Sequence, residues 1–172
     1  MCISTRLKSI YIKITNRPKQ YITKYSFGAT SAIITSLALI TGFNVNPSAK
    51  IGVVGSLLVI ALADNISDTL GIHIYQEGES LKNKEVWIST GTNFFTRLLV
   101  VSIFILFVIV FPPSIAILVS IIYGYLVLTL ISYIVAKKRQ IHHFHSILEH
   151  LLITTFVIIV SKLVGGWIRS IF

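Results

Sequence analysis

From Ser114 to Ala136 the chain runs for 23 residues without a charged side chain. In water such a run has no polar face to present. As a helix rising about 1.5 Å per residue it covers about 35 Å, enough for a hydrocarbon core of about 30 Å. In lipid every backbone polar group must find its partner within the segment, so the run has to be helical. Four further apolar runs predict spans at about Tyr25–Phe43, Ile51–Tyr75, Phe94–Phe111 and Leu151–Ile168. The composition agrees: 54% of the 172 residues are hydrophobic, 12% are charged, and the mean hydropathy is +0.83. A soluble domain carries about 25% charged residues and covers itself with them. The pattern therefore predicts an all-α, polytopic integral membrane protein with five transmembrane helices over residues 25–172, preceded by a basic segment over 1–24.

The breaks between the spans are marked by proline. Asn46-Pro47 stops the first helix, because the residue before a proline resists the helical region. Pro112-Pro113 ends the third and forces a tight hairpin. Gln76 to Asn93 reads as a polar loop, and Lys137 to His150, KKRQIHHFHSILEH, as a polar turn.

The net charge of +9 would suggest nucleic acid in a soluble protein. Here it marks one side of a membrane, and no nucleic-acid partner is expected. Arg6, Lys8, Lys13, Arg17, Lys19 and Lys24 precede the first span. Lys82, Lys84 and Arg97 follow the second, with Arg97 near enough to the span edge to snorkel. Lys137, Lys138 and Arg139 follow the fourth, whereas the opposite side has Lys50 and Arg169. The positive-inside rule then places the N-terminus in the cytoplasm. Residues 1–24 repeat Ile3, Leu7, Ile10 and Ile14 at helical spacing, the pattern either of a helix lying on an anionic surface or of a loose basic anchor. Charge interrupts each apolar stretch there, so a cleavable signal is not expected, and a prokaryotic plasma membrane is the expected location. The single Cys2 rules out an intramolecular disulfide.

Two of the six acidic residues, Asp64 and Asp68, lie inside the second apolar run. An ionisable group at membrane depth costs roughly 2.5–3.5 kcal/mol on insertion scales, which makes this pair the first place to look for function. Four residues apart, they share a helix face with Gly71 and Tyr75, flanked by Asn65 and Ser67. Carboxylate, amide and hydroxyl oxygens suit hard divalent cations such as Mn(II), Mg(II) or Fe(II). Two adjacent carboxylates can also share a proton, as a proton-coupled cycle needs. The bland alternatives are pairing with Ser, Thr or Asn of neighbouring spans, or a water-filled vestibule. A second cluster, His142, His145 and Glu149, falls on one helix face; with Glu77 and Glu79 it could gather metal at the inner mouth, or it could be a solvated His-rich turn. Gly28, Ala32 and Ser36 form a small-residue stripe that fits either a dimer seam or packing within one chain. No phosphate loop and no nucleophile elbow is present. The Asp64–Asp68 spacing matches half of the metal motif of membrane phosphatidyl-alcohol transferases, but the upstream half is missing, so no enzyme is expected.

The chain resembles the vacuolar iron transporter family, as a compact and divergent member. Gly28-Ala29-Thr30-Ser31-Ala32-Ile33-Ile34 resembles the family's first-span Gly-Ala-Asn-Asp-Gly followed by two aliphatic residues. Ser67 to Gly71, with Gln76 and Glu79, resembles the second-span signature, and the paired prolines and Ser161 to Gly165 also fit. The family's first-span aspartate falls on Ser31, its second-span methionine on Asp68 and its following glutamate on Ile72. Its long Glu-rich cytoplasmic helices between the second and third spans have no counterpart. The resemblance implies five spans, a homodimer and transport of a divalent metal ion, iron or manganese, exported from the cytoplasm in exchange for protons. Asp64 and Asp68 would bind the ion, with Asn65, Ser67 and Ser31 as lesser donors. The metal is then cargo rather than a permanently bound cofactor, and the lipid bilayer is the constant partner. The alternative is a membrane scaffold that kept the fold without transport.

Overall fold

The computed structural model describes residues 26–43 and 49–171. The basic segment 1–24, Asn46-Pro47 and the amphipathic pattern read from Ile3 to Ile14 lie outside them. Among the described residues the chain is helical, without strands. Helix α1 covers Ser26–Gly42, α2 Lys50–Gly78, α3 Asn83–Val110, α4 Pro113–Arg139 and α5 His143–Ile171. The last four are long and apolar enough to cross a bilayer, while α1 is a shorter apolar helix. Large apolar side chains such as Leu62, Leu99, Leu106, Leu126, Phe156 and Leu163 stand exposed around the outside. So much outward apolar surface is what a lipid-facing bundle presents.

Two loops expected from polar composition are mostly helix. Gln76 to Asn93 shrinks to a turn at Glu79–Lys82, because α2 runs on to Gly78 and α3 starts at Asn83. Polar side chains at helical spacing fit this: Val86, Ser89, Asn93 and Arg97 form the buried stripe of α3. Ser80 makes the turn in the left-handed region at φ 54°, with the Leu81 amide donating to Gln76 and the Ser80 amide to Glu77. That double bond pattern closes a helix C-terminus. The His-rich turn contracts likewise. Helix α4 continues through Lys137, Lys138 and Arg139, basic residues that suit the negative end of its dipole, and α5 begins at His143. At the other end of the bundle Lys50 Nζ donates to the Ile109 carbonyl at 2.7 Å, tying the start of α2 to the end of α3.

Helix α2 is not uniform. Residues Ile60–Asp64 form a π turn within it. Its buried residues Val53, Leu57, Ala61, Asn65 and Thr69 recur every fourth position. On a regular helix that stripe would drift by about 40° per step, and the wider π turn takes part of the drift back. The turn thus delivers Asn65 and Thr69 to α3 and leaves Asp64 and Asp68 on the neighbouring face.

Helix α1 is the centre of the bundle. Ala32, Ile33, Ser36, Leu37 and Ile40 are fully enclosed, and Leu37 and Ile33 pack on Gly124 of α4. A Cβ on Gly28 would come within 2.5 Å of Asn93 Oδ1 and 3.2 Å of Arg97 Cγ, so glycine there lets α3 approach. At the far end Gly165 of α5 sits against the Gly42 carbonyl, where any side chain would overlap it. The stripe Gly28, Ala32 and Ser36 is therefore a seam inside the chain. The apolar core is completed by Val100, Val101, Phe104 and Val108 of α3 with Leu128 of α4.

Candidate functional site

Helices α2 and α3 are joined by a ladder of polar side chains. Starting from the end with the 79–82 turn, Gln76 Nε2 donates to Ser89 Oγ at 2.8 Å, and His73 Nδ1 meets Thr90 Oγ1 at 2.9 Å. Thr90 donates its own hydroxyl proton to the Val86 carbonyl, so its oxygen accepts from His73. Next, Asn93 Nδ2 donates to Thr69 Oγ1 at 3.1 Å, and Thr69 donates to Asn65 Oδ1 at 3.3 Å. Asn65 Nδ2 in turn donates to the Phe94 carbonyl at 3.0 Å.

The ladder ends on Arg97. Its guanidinium lies between the two aspartates: Nη2 donates to Asp64 Oδ2, and Nη1 to Asp68 Oδ2. Nη1 also donates to Ser31 Oγ of α1 at 3.0 Å, and the Ser31 hydroxyl lies 3.4 Å from Asp68 Oδ2. Arg97 does not snorkel, because its side chain is only 1% exposed. It is a mid-helix residue: α3 begins 14 positions before it, at Asn83, whereas the loop expected from the sequence would have put it near a span edge. Asp64 is 14 residues on from Lys50, and Arg97 is 13 before Val110. At roughly 1.5 Å per residue both sit about 20 Å in from the proline-hairpin end, within a hydrocarbon thickness of about 30 Å.

Three charges make the cluster, two negative and one positive, leaving it one negative in sum. The aspartate side chains are 44% and 34% exposed, so their outer oxygens remain accessible. The guanidinium stands between the two carboxylates and supplies the counter-charge to both. Two buried polar atoms beside the cluster have no hydrogen-bond partner among the described residues: Arg97 Nε, a donor, and Asn93 Oδ1, an acceptor. Gln76 Oε1, further up the ladder, is a third.

A cavity of about 590 Å³ opens at the same end of the bundle as the 140–142 turn, between α1, α4 and α5. His142, His145, Glu149 and Arg139 line its mouth, and Ser31 lines it from α1. His150 also borders it and meets Ser132 Oγ at 2.7 Å; Ser132 donates to the Leu128 carbonyl, so His150 Nδ1 is the donor to it. Ser31 thus belongs both to this vestibule and to the ion cluster.

Of the residues expected at a metal site, Asp64, Asp68 and Ser31 come together, and His142, His145 and Glu149 share the vestibule. Asn65 turns to α3 and is fully buried there, while Ser67 is exposed on α2. Glu77 Oε1 on α2 lies 3.3 Å from His73 Nε2, and Glu79 is exposed in the turn that follows; both are outside the vestibule. Among the described residues no three His, Cys, Asp or Glu side chains converge as a metal site. Sequence reasoning missed Arg97, Asn93 and Thr69. The signal was available: one cation interrupts the third apolar run, four residues after an asparagine, facing a run that holds two anions.

Comparison with protein-family models, with curated proteins and with solved structures finds no match.

Proposed function

We propose that this protein transports a divalent metal ion, Fe(II) or Mn(II), across a membrane, exporting it from the cytoplasm in exchange for protons. The observation that carries the reading is the cluster itself: two part-exposed carboxylates at membrane depth, sharing Ser31 with a vestibule that holds His142, His145 and Glu149. Charged groups are kept in the hydrocarbon region chiefly where ions or protons pass. Hard carboxylate oxygens supply the ligand chemistry, and Ser31 adds a neutral oxygen. By the positive-inside rule the vestibule mouth would face the cytoplasm, where His142, His145 and Glu149 would meet the incoming ion. The resemblance to vacuolar iron transporters supports the same substrate class, a prokaryotic plasma membrane fits the chain's size, and a homodimer would cover the half-exposed aspartates.

A second reading has one specific observation in its favour. Arg97 already provides both carboxylates with a counter-charge, as it would in a scaffold that no longer binds an ion. The two readings separate in proteoliposomes loaded with a metal-sensitive dye. A transporter takes up Fe(II) or Mn(II) when a pH gradient is imposed, and Asp64→Asn with Asp68→Asn abolishes the uptake. A scaffold gives the same trace as empty vesicles.

A further inference from the structure

We infer that Arg97 is a tethered cation that occupies the carboxylate pair in the substrate-free state and must leave it for an external cation to bind. The inference rests on the transport reading above and adds to it the device that regulates its site.

The geometry makes the guanidinium a competitor. It donates to Asp64 and Asp68 with two different nitrogens, so it stands where an ion bridging the same two oxygens would stand. A divalent ion added beside it would leave the cluster with one net positive charge in a region of low dielectric, which disfavours joint occupancy. With the guanidinium withdrawn, two carboxylates and one divalent ion sum to zero.

The surroundings offer it somewhere to go. Arg97 Nε and Asn93 Oδ1 are both buried and, among the described residues, unpartnered, one helical turn apart on α3. A long side chain on a helix leans back towards the N-terminus, which brings the guanidinium over position 93. Gly28 opposite packs directly on both side chains, since a Cβ there would collide with Asn93 Oδ1 and press on the Arg97 stem, so arginine and asparagine share one enclosed site against α1. Ser31 bonds Arg97 Nη1 and lies near Asp68, so it touches the arginine in the present position and borders the vestibule from which an ion arrives. The lock has a purpose in lipid: it keeps two carboxylates from standing uncompensated between transport events.

If binding requires the guanidinium to be off the pair, the apparent dissociation constant is the intrinsic one divided by the fraction of chains in that state. Removing the tethered charge removes the penalty. The test is a titration of the full chain in detergent with Mn(II), read as metal-dependent thermal stability. Arg97→Gln is expected to half-saturate at a Mn(II) concentration at least tenfold lower than wild type. Arg97→Lys, which keeps a tethered charge, is expected to stay near wild type, and Asp64→Asn with Asp68→Asn to show no Mn(II) effect. A merely structural arginine gives the opposite sign, because its loss loosens the site and weakens binding. Equal or weaker Mn(II) binding by folded Arg97→Gln, alongside clear wild-type binding, overturns the lock and leaves transport standing. No Mn(II) effect in wild type or Arg97→Gln overturns both. Should Arg97→Gln not fold, the same comparison is made in an Asp64→Asn background, where the loss of one carboxylate balances the loss of the one cation. There the added Arg97→Gln change must again tighten Mn(II) binding, and failure to do so overturns the lock.

Discussion

The α2–α3 seam and the buried stripe of α4 hold helices of similar length together by different means. Along α4 the buried positions are Ala116, Ser120, Gly124, Leu128, Ser132 and Ala136, every fourth residue and mostly small. They let α1 come close, as Leu37 on Gly124 illustrates, and Gly42 on Gly165 does the same directly between α1 and α5. Between α2 and α3 the contacts are amides, hydroxyls, an imidazole and an ion cluster. Close packing of small residues is the ordinary way for helices to associate in lipid, where apolar burial gives no net drive. A polar seam is the costlier solution: among the described residues it retains an amide oxygen at Gln76, another at Asn93 and a charged donor at Arg97 without partners, where the small-residue packing leaves only the hydroxyls of Ser36 and Ser120. The difference sets a polar α2–α3 seam, which carries the ion cluster, beside a close-packed α1–α4–α5 half, which supports it and lines the vestibule.

That division can be broken in several ways. The largest effect on stability is expected at Arg97. Taking one partner from a buried ionic group costs about 3–5 kcal/mol, and the partial exposure of the aspartates places Arg97→Met near about 3 kcal/mol. Reversible unfolding in mixed micelles measures it, and adding Asp64→Asn and Asp68→Asn to Arg97→Met should restore most of the loss. On the supporting side, Gly165→Val forces α5 away from the Gly42 carbonyl and is expected to cost about 2 kcal/mol, as overpacking does. Its Mn(II) half-saturation should nonetheless match wild type in the titration used for Arg97. A change in both would show that the two halves are not separable. Within the ladder, Thr69→Val removes the acceptor for Asn93 and is expected to cost about 0.6 kcal/mol, the typical worth of a hydrogen bond between membrane helices. Smallest is Ser80→Gly, which relieves a left-handed residue at the 79–82 turn and should gain about 0.5 kcal/mol by the same unfolding assay.

How far these features could be read in advance follows the same division. Apolar runs and prolines located the helices, because a stretch such as Ser114 to Ala136 has no other stable form in lipid. Helix ends were less legible. Polarity at Gln76 to Asn93 and at Lys137 to His150 looks like loop, but it is equally the signature of helices that pair through polar side chains or extend past the apolar layer. Asp64 and Asp68 were conspicuous, since two acids in an apolar run are costly. Their partner was not, because an arginine near a presumed span edge has an inexpensive explanation in snorkelling. Only the true start of α3 at Asn83 moves Arg97 to mid-helix. A regular helical wheel puts Asn65 on the flank of the aspartate face, as a lesser donor, and in the structure it pairs with the Phe94 carbonyl instead, next to the π turn at Ile60–Asp64. That local widening depends on tertiary packing and leaves no mark in local composition.

On the proposed route the vestibule leads an aqueous ion to the carboxylate pair, with Ser31 as the residue they share. It is tested most directly by the reactivity of a single cysteine at that position. Cys2, the chain's one native cysteine, is replaced by serine, and Ser31→Cys is treated with a small charged thiol reagent applied from the side of the 140–142 turn. The account expects Ser31→Cys to be modified and Mn(II) to slow the modification, with protection lost when Asp64→Asn and Asp68→Asn are added. A Ser31→Cys that stays unreactive while Ser26→Cys at the mouth is modified would contradict it. So would a reaction at Ser31→Cys that proceeds at the same rate with and without the metal.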